Sequence, residues 1–219
     1  MSAVSQAAPA CGQDRRYLRV KRALDLAVAV PALVVSAPVQ AAVALAVRWR
    51  LGSPVLFRQT RPGLHAQPFE LVKFRTMLPV DQAAGRVDDA SRMTGLGSFL
   101  RSTSLDELPT LWNVVRGDMS LVGPRPLLMR YLDRYTPQQA RRHEVRPGLT
   151  GLAQVSGRNA LTWEDKFRFD VEYVERRSLS LDLSILWGTV RAVWRRDGIA
   201  ADGEVTMPEF LGTNPTDGS

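Results

Sequence analysis

The chain has 219 residues, enough for one domain with a real core, and with 45% hydrophobic and 23% charged residues its composition is not that of a disordered protein. A formal net charge of +7 points to an anionic partner: nucleic acid, anionic lipid headgroups or a phosphorylated substrate. The single cysteine, Cys11, excludes an internal disulfide and a cysteine-based metal centre, and two histidines far apart in sequence, His65 and His143, argue against a histidine-rich metal site or a histidine-dependent triad.

Residues 1–14 read as a flexible leader. Residues 26–47, LAVAVPALVVSAPVQAAVALAV, carry no charge and meet the length of a membrane helix. A secretory signal fits poorly, because the apolar run is too long and the segment after it is basic. Arg15, Arg16, Arg19, Lys21 and Arg22 precede the run, and Arg48, Arg50, Arg58 and Arg61 follow it. Basic flanks belong on the cytoplasmic side, so a straight span would push one cluster across the bilayer. Ser36 and Pro38, with Pro31 one to two turns earlier, supply a bend, since proline removes a helical hydrogen bond and serine can satisfy a freed carbonyl. The expectation is a re-entrant membrane helix over 15–50, with an ordinary kinked spanning helix as the competing reading. Asp25, at the edge of the run, then sits in the headgroup zone.

VLFRQ and PFELVKF alternate as strands joined by a Gly-containing turn, which predicts a β-hairpin. Residues 79–91 are polar and irregular, and TGLGSFLRS (94–102) reads as a loop entering a short helix. A helix is expected over 106–115, a Gly/Pro-rich loop over 116–126, a helix over 127–144, a second Gly-rich loop over 146–159 and a charged helix over 162–177. The run 181–196 is an amphipathic helix carrying Trp187 and Trp194. Its apolar positions suit either the core or a membrane interface. Residues 51–202 form the expected cytosolic domain, and 203–219 a disordered tail.

The chemistry collects around TSLDELP (103–109), where Asp106 and Glu107 stand side by side in a basic chain. One reading is structural: Ser104 and Glu107 have capping-box spacing, and acids suit the first turn of a helix. The other is chemical. Lys73 and Arg75, the loop from Arg116 to Arg125, and the loop from Arg146 to Arg158 combine glycines with arginines, a pattern that suits phosphate. Carboxylates inside a phosphate-binding surface need a reason. A bridging Mg²⁺ is one, and an aspartate nucleophile is another. Adjacent residues on a helix do not face each other, so the two acids have different roles.

The run RSTSLDELPTLWNVVRGDMSLVGPRPL, with KFRTM upstream and RPGLTGLAQVSGRN downstream, resembles the bacterial sugar transferases, the monotopic phosphoglycosyl transferases, over residues 17–200. The resemblance implies an α/β, predominantly helical fold in the minimal catalytic form: a re-entrant membrane hairpin, a small β-hairpin and interfacial amphipathic helices. It implies transfer of a sugar-1-phosphate from a UDP-sugar to polyprenyl phosphate, with Mg²⁺, on the cytosolic face of the bacterial inner membrane. Asp106 would be the nucleophile and Glu107 would assist at the metal or as a base. Arg101 and Arg125 would hold phosphates, with Lys73, Arg75, Arg146 and Arg158 in support. The net charge of +7 suits anionic inner-leaflet lipids as a further partner, a homodimer is open because the sequence is silent on oligomeric state, and nucleic acid is not a partner, since a free nucleic-acid binder has no use for the uncharged run. Two positions depart from the family pattern: Thr110, where glutamine is usual, and Ser98, where a basic residue is usual. The rival from another class is a non-catalytic membrane-anchored scaffold in which the acids only cap.

Overall fold

The computed structural model describes residues 13–83, 85–157, 161–195 and 209–212. The chain is mostly helical with two small sheets. It begins with one long helix, α1 (Gln13–Arg50), that contains Pro31 and Pro38. Its length and apolar composition suffice to cross a membrane. Pro38 withholds the N–H that would meet the Val34 carbonyl, and one residue earlier Ser36 Oγ donates to the Leu33 carbonyl at 3.3 Å and accepts from Gln40 Nε2 at 2.9 Å. Asp25, Ala29, Val43 and Val47 are buried along one stripe at helical spacing, while Val34, Val35, Leu45 and Trp49 are exposed.

Both ends of α1 are fixed to the same body. Near its start, Tyr17 and Lys21 each bond Asp182 at 3.0 Å, Arg22 donates to the carbonyls of Val114 and Val115, and Asp25 accepts from Ser120 Oγ and Leu121 N–H. Asp25 is therefore a buried tie between α1 and the body, not the headgroup residue expected from its position at the edge of the apolar run. Near its end, Val43, Val47 and Leu51 pack with Phe74 and Leu100.

The hairpin forms as the alternation predicts, with β1 (Leu56–Pro62) antiparallel to β2 (Pro68–Phe74) and Phe57 opposite Lys73. After α2 (Asp89–Arg92) comes α3 (Gly95–Ser102), capped by the Thr94 side chain on the Gly97 N–H. A Cβ at Gly97 would lie 1.8 Å from the Thr76 carbonyl oxygen, so only glycine lets α3 approach the end of the hairpin this closely. Residues 106–115 are not one α-helix. A 3-10 segment (Leu105–Thr110) carries the acids and Pro109, and α4 (Leu111–Arg116) follows. Proline inside the segment has no N–H to give to an α-helical ladder.

Asn113, fully buried on α4, anchors this region to β2. Its side chain accepts from Val72 N–H at 3.1 Å and donates to the Glu70 carbonyl at 2.7 Å. Replacing it with an apolar residue would leave those backbone groups unsatisfied, at about 1–3 kcal/mol each.

The two Gly-rich loops differ from expectation. Each contains a short strand, β3 (Ser120–Val122) and β4 (Gly148–Thr150), and the two pair in parallel. Their glycines serve backbone against backbone: a Cβ at Gly123 would fall 2.4 Å from the Arg146 carbonyl oxygen, and Gly123 N–H donates to Thr150. Residues 127–144 are also broken where one helix was expected. A 3-10 turn (Met129–Arg134) is followed by α5 (Pro137–Ala140), whose Thr136 and Gln139 form a capping box, and by a second 3-10 turn (Arg141–Glu144). Thr136-Pro137 is a helix start in mid-run, which ends the helix before it.

Helix α6 (Leu152–Ser156) leads to α7 (Trp163–Arg176) and α8 (Leu179–Arg195). One face of α8 joins the main core through Ile185, and the other exposes Leu183, Trp187 and Val190. The core thus unites β2, α4, β3, α7, α8 and α1 through Leu71, Val114, Val122, Tyr173, Ile185 and Ala29. The tail expectation for 203–219 lies outside the described residues except at 209–212, where Phe210 is 3% exposed and packed with Tyr131 and Phe167. The leader up to residue 12 and the side chain of Trp194 lie outside the described residues.

Candidate active site

The capping reading of Asp106 and Glu107 fails on local geometry. Ser104 makes no side-chain cap bond and has a left-handed backbone, φ 56°. It closes α3 instead: Thr103 N–H returns to Phe99 and Ser104 N–H to Arg101, as in a helix C-terminus. A non-glycine residue in that conformation costs about 1–2 kcal/mol, and it turns the chain sharply just before the acids.

What the acids meet comes from β2 and from the loop after β3. Glu107 Oε1 accepts from Lys73 Nζ at 2.5 Å and from Arg125 Nη2 at 2.9 Å. Burial would raise the Glu107 pKa, but the two cations outweigh it and hold it at about 2. Glu107 therefore stays ionised and organises two cations. Asp106 is 8% exposed, and burial followed by the neighbouring Glu107 charge raises its pKa, against Lys73, Arg101 and Arg125. Among the described residues no donor hydrogen-bonds the Asp106 carboxylate, so its oxygens remain available. Burial, and then Arg125, push the Lys73 pKa down, against the pull of Glu107.

Arg101 is placed by α3, with Nε donating to Thr76 Oγ1 at 3.1 Å, and Gly97 sets the distance for that contact. Arg125 projects from a loop whose three consecutive carbonyls are all bound. Pro124 accepts from Gly148 N–H at 2.9 Å, Arg125 from Arg142 Nη2 at 2.7 Å and Pro126 from Arg61 Nη1 at 3.3 Å. With its backbone tied down, the Arg125 side chain is left to face the acids.

Five expected site residues therefore come together: Asp106, Glu107, Lys73, Arg101 and Arg125. Two do not. Arg75 spends both terminal nitrogens on the carbonyls of Leu51 and Ser53, clamping the exit from α1. Arg146 donates from Nε to the Gly117 carbonyl at 2.9 Å. Both are fixed by backbone oxygens, for which an arginine is as suited as for phosphate. Arg158 lies outside the described residues. Thr110 is structural: it is buried and donates to the Val72 carbonyl at 2.9 Å. Ser98 is on an exposed position of α3.

Arg142 and Asp170 were missed. They form a buried pair at 2.7 Å behind the Arg125 loop. One signal was present: Asp170 falls with Phe167, Val171 and Val174 on the buried face of α7. A charge on an apolar stripe requires a buried partner.

Among the described residues no group of three or more His, Cys, Asp or Glu side chains forms a metal cage. The two carboxylates present suit Mg²⁺ held mainly by water and phosphate, since that ion needs few protein ligands. Asp106 has open oxygens, while Glu107 Oε1 is already engaged by two cations.

Residues 16–196 match the family model for bacterial sugar transferases. The chain is 50% identical over 195 residues to a protein of Bacillus subtilis named uncharacterized sugar transferase EpsL, covering 89% of this chain and 96% of that one. It is 43% identical over 190 residues to a UDP-glucose:undecaprenyl-phosphate glucose-1-phosphate transferase of Caulobacter vibrioides, covering 81% of this chain and 70% of the relative. With an undecaprenyl-phosphate galactose phosphotransferase of Salmonella typhimurium it shares 37% identity over 204 residues, 85% of this chain but 42% of the relative.

Proposed function

The chain belongs to the bacterial sugar transferase family, and from that premise we propose that it moves a sugar-1-phosphate from a UDP-sugar to polyprenyl phosphate, through a covalent intermediate on Asp106. The observation that carries this reading is the Asp106 carboxylate, which accepts no hydrogen bond among the described residues and is set among Lys73, Arg101 and Arg125. A carboxylate ringed by cations can approach a diphosphate that it would otherwise repel.

An Asp106 oxygen attacks the sugar-bearing phosphorus, forming an O–P bond as the bond to UMP breaks, and the electron pair leaves on the UMP phosphate. A polyprenyl phosphate oxygen then attacks the same phosphorus and expels Asp106 as a carboxylate. Arg101 and Arg125 hold the phosphoryl oxygens and oppose the charge that accumulates there. Glu107 keeps Arg125 and Lys73 in place, and those two cations hold its pKa at about 2. Asp106 and Glu107 are the residues that would hold Mg²⁺, which when bound neutralises charge on the diphosphate.

The chain acts from the cytosolic face of the inner membrane, with α1 entering and leaving by the same side. Support comes from its two ends. Lys21, Arg22 and Asp25 on one side and Val43 and Val47 on the other attach to one body. A straight span would hold those ends about 30 Å apart across hydrocarbon. The exposed Leu183, Trp187 and Val190 of α8 suit the membrane interface beside it.

The test is UMP release from a panel of UDP-sugars, followed by mapping of the labelled phosphosugar on the protein. Release by the wild type with the label on Asp106 is expected. A label on another residue, or none, refutes the assignment.

A further inference from the structure

An aromatic cluster behind the Arg125 loop takes no part in the chemistry above. Its centre is Phe210, whose ring lies 5.7 Å from Tyr131, 5.5 Å from Trp163 and 4.9 Å from Phe167, and is stacked on Tyr135 at 6.0 Å. The segment is also held from outside. Glu209 pairs with Arg134 at 2.8 Å and Arg130 at 3.1 Å, and Phe210 N–H donates to the Tyr131 hydroxyl at 3.3 Å. Glu209 and Phe210 thus form a two-part hook, an acid on the rim and a ring in the cage.

The far wall of the cage is Arg142. Its guanidinium lies over Tyr135 at 5.7 Å and Phe167 at 5.6 Å and donates to the Tyr135 hydroxyl at 3.1 Å. The same group pairs with Asp170 and donates to the Arg125 carbonyl at 2.7 Å. Arg125 in turn holds Glu107. An unbroken line of contacts therefore runs from Phe210 through Tyr135 and Phe167 to Arg142, and from there to the arginine beside the nucleophile.

We infer that Glu209 and Phe210 are positioning residues for sugar-phosphate transfer, setting Arg125 through Tyr135, Phe167 and Arg142. The role rests on the transfer reaction proposed above. Removing the Phe210 ring opens a void into which Tyr135 and Phe167 relax. The surface on which Arg142 rests then moves, and with it the donor to the Arg125 carbonyl. The carbonyls on either side, Pro124 and Pro126, are held by Gly148 N–H and by Arg61, and the Gly148 bond is backbone to backbone. The loop therefore stays attached while its middle residue loses alignment, which gives a defect in turnover and not in folding.

The experiment uses the full chain and the rate of UMP release from a UDP-sugar that the wild type accepts. Phe210→Ala is expected to lower kcat about tenfold with KM changed less than twofold, and Phe210→Tyr to recover most of the loss. In an Arg125→Lys background, Phe210→Ala should cost less than twofold, because the group it aligns has gone. A kcat within twofold of wild type, a faster Phe210→Ala, or an equal cost in both backgrounds overturns the inference. Should Phe210→Ala lose its near-UV circular dichroism, Glu209→Ala, which releases the segment from Arg130 and Arg134 and loosens the seat of the ring without removing it, should lower kcat by about threefold in the wild-type background and by less than twofold in the Arg125→Lys background, and no loss in either overturns the inference. A wild type that releases no UMP from any UDP-sugar overturns the transfer reaction itself, and this role with it.

Discussion

Glu107→Gln tests whether the acid pair divides its work as the geometry indicates. Glutamine keeps the shape but removes the charge that binds Lys73 at 2.5 Å and Arg125 at 2.9 Å. A carboxylate whose pKa falls from 4.5 to about 2 on folding contributes about 3 kcal/mol at neutral pH. Arg125 is 48% exposed, so solvent screens its share and about 2 kcal/mol is the better figure. For a chain of this size that lowers the Tm by about 4–8 °C.

The sign fixes the pH window. With its folded pKa depressed, Glu107 contributes fully above about 4.5, and its contribution is lost as the pH falls through about 2. Thermal unfolding in detergent micelles at pH 7 and pH 3 is the assay, and the difference between wild type and variant should shrink by more than half at the lower pH. Equal Tm values at pH 7, or a difference as large at pH 3, would refute the reasoning. A second readout follows from the neighbour. Glu107 raises the Asp106 pKa, so residual UMP release in the variant should persist to lower pH than in the wild type.

Asp106→Asn should abolish turnover and label trapping. Because burial and Glu107 raise the Asp106 pKa, its ionised form is disfavoured in the folded state, and the variant should melt above wild type at pH 7; a lower Tm contradicts this. Chelation by EDTA should stop UMP release and added Mg²⁺ restore it, whereas full release by metal-stripped protein would point to an arginine-only site. With Cys11 replaced, single cysteines at Arg15 and Ser53 should both resist a membrane-impermeant thiol reagent in intact cells, and labelling of either means that α1 spans. Leucine at Ser36 and Pro38 removes the bond to the Leu33 carbonyl and restores the missing N–H, and should favour that spanning form.

Much of the fold was legible because its causes are local. The uncharged run of α1 and the alternation of β1 and β2 act within one element or one hairpin, so their pattern is written in adjacent residues. The DELP run and its basic neighbours were legible for the same reason, as residue types whose charges demand a reason. What the sequence could not assign is which arginine meets a carboxylate and which meets a backbone oxygen. Arg75, Arg125 and Arg146 look alike as letters, yet one clamps the end of α1, one holds Glu107 and one closes onto Gly117. Ser104 looked like a cap and is a left-handed turn, because α3 ends where the next element was expected to begin. Two Gly-rich loops became a parallel pair only because Gly123 and Gly148 let their backbones touch. Phe210 stands 68 residues from Arg142 along the chain, and only burial brings the two against the same rings, Tyr135 and Phe167. Partners that are chosen by desolvation at long range leave no periodic trace, so local pattern determined α1, the β1–β2 hairpin, α7 and α8, and tertiary packing decided which loops paired and which charges faced one another.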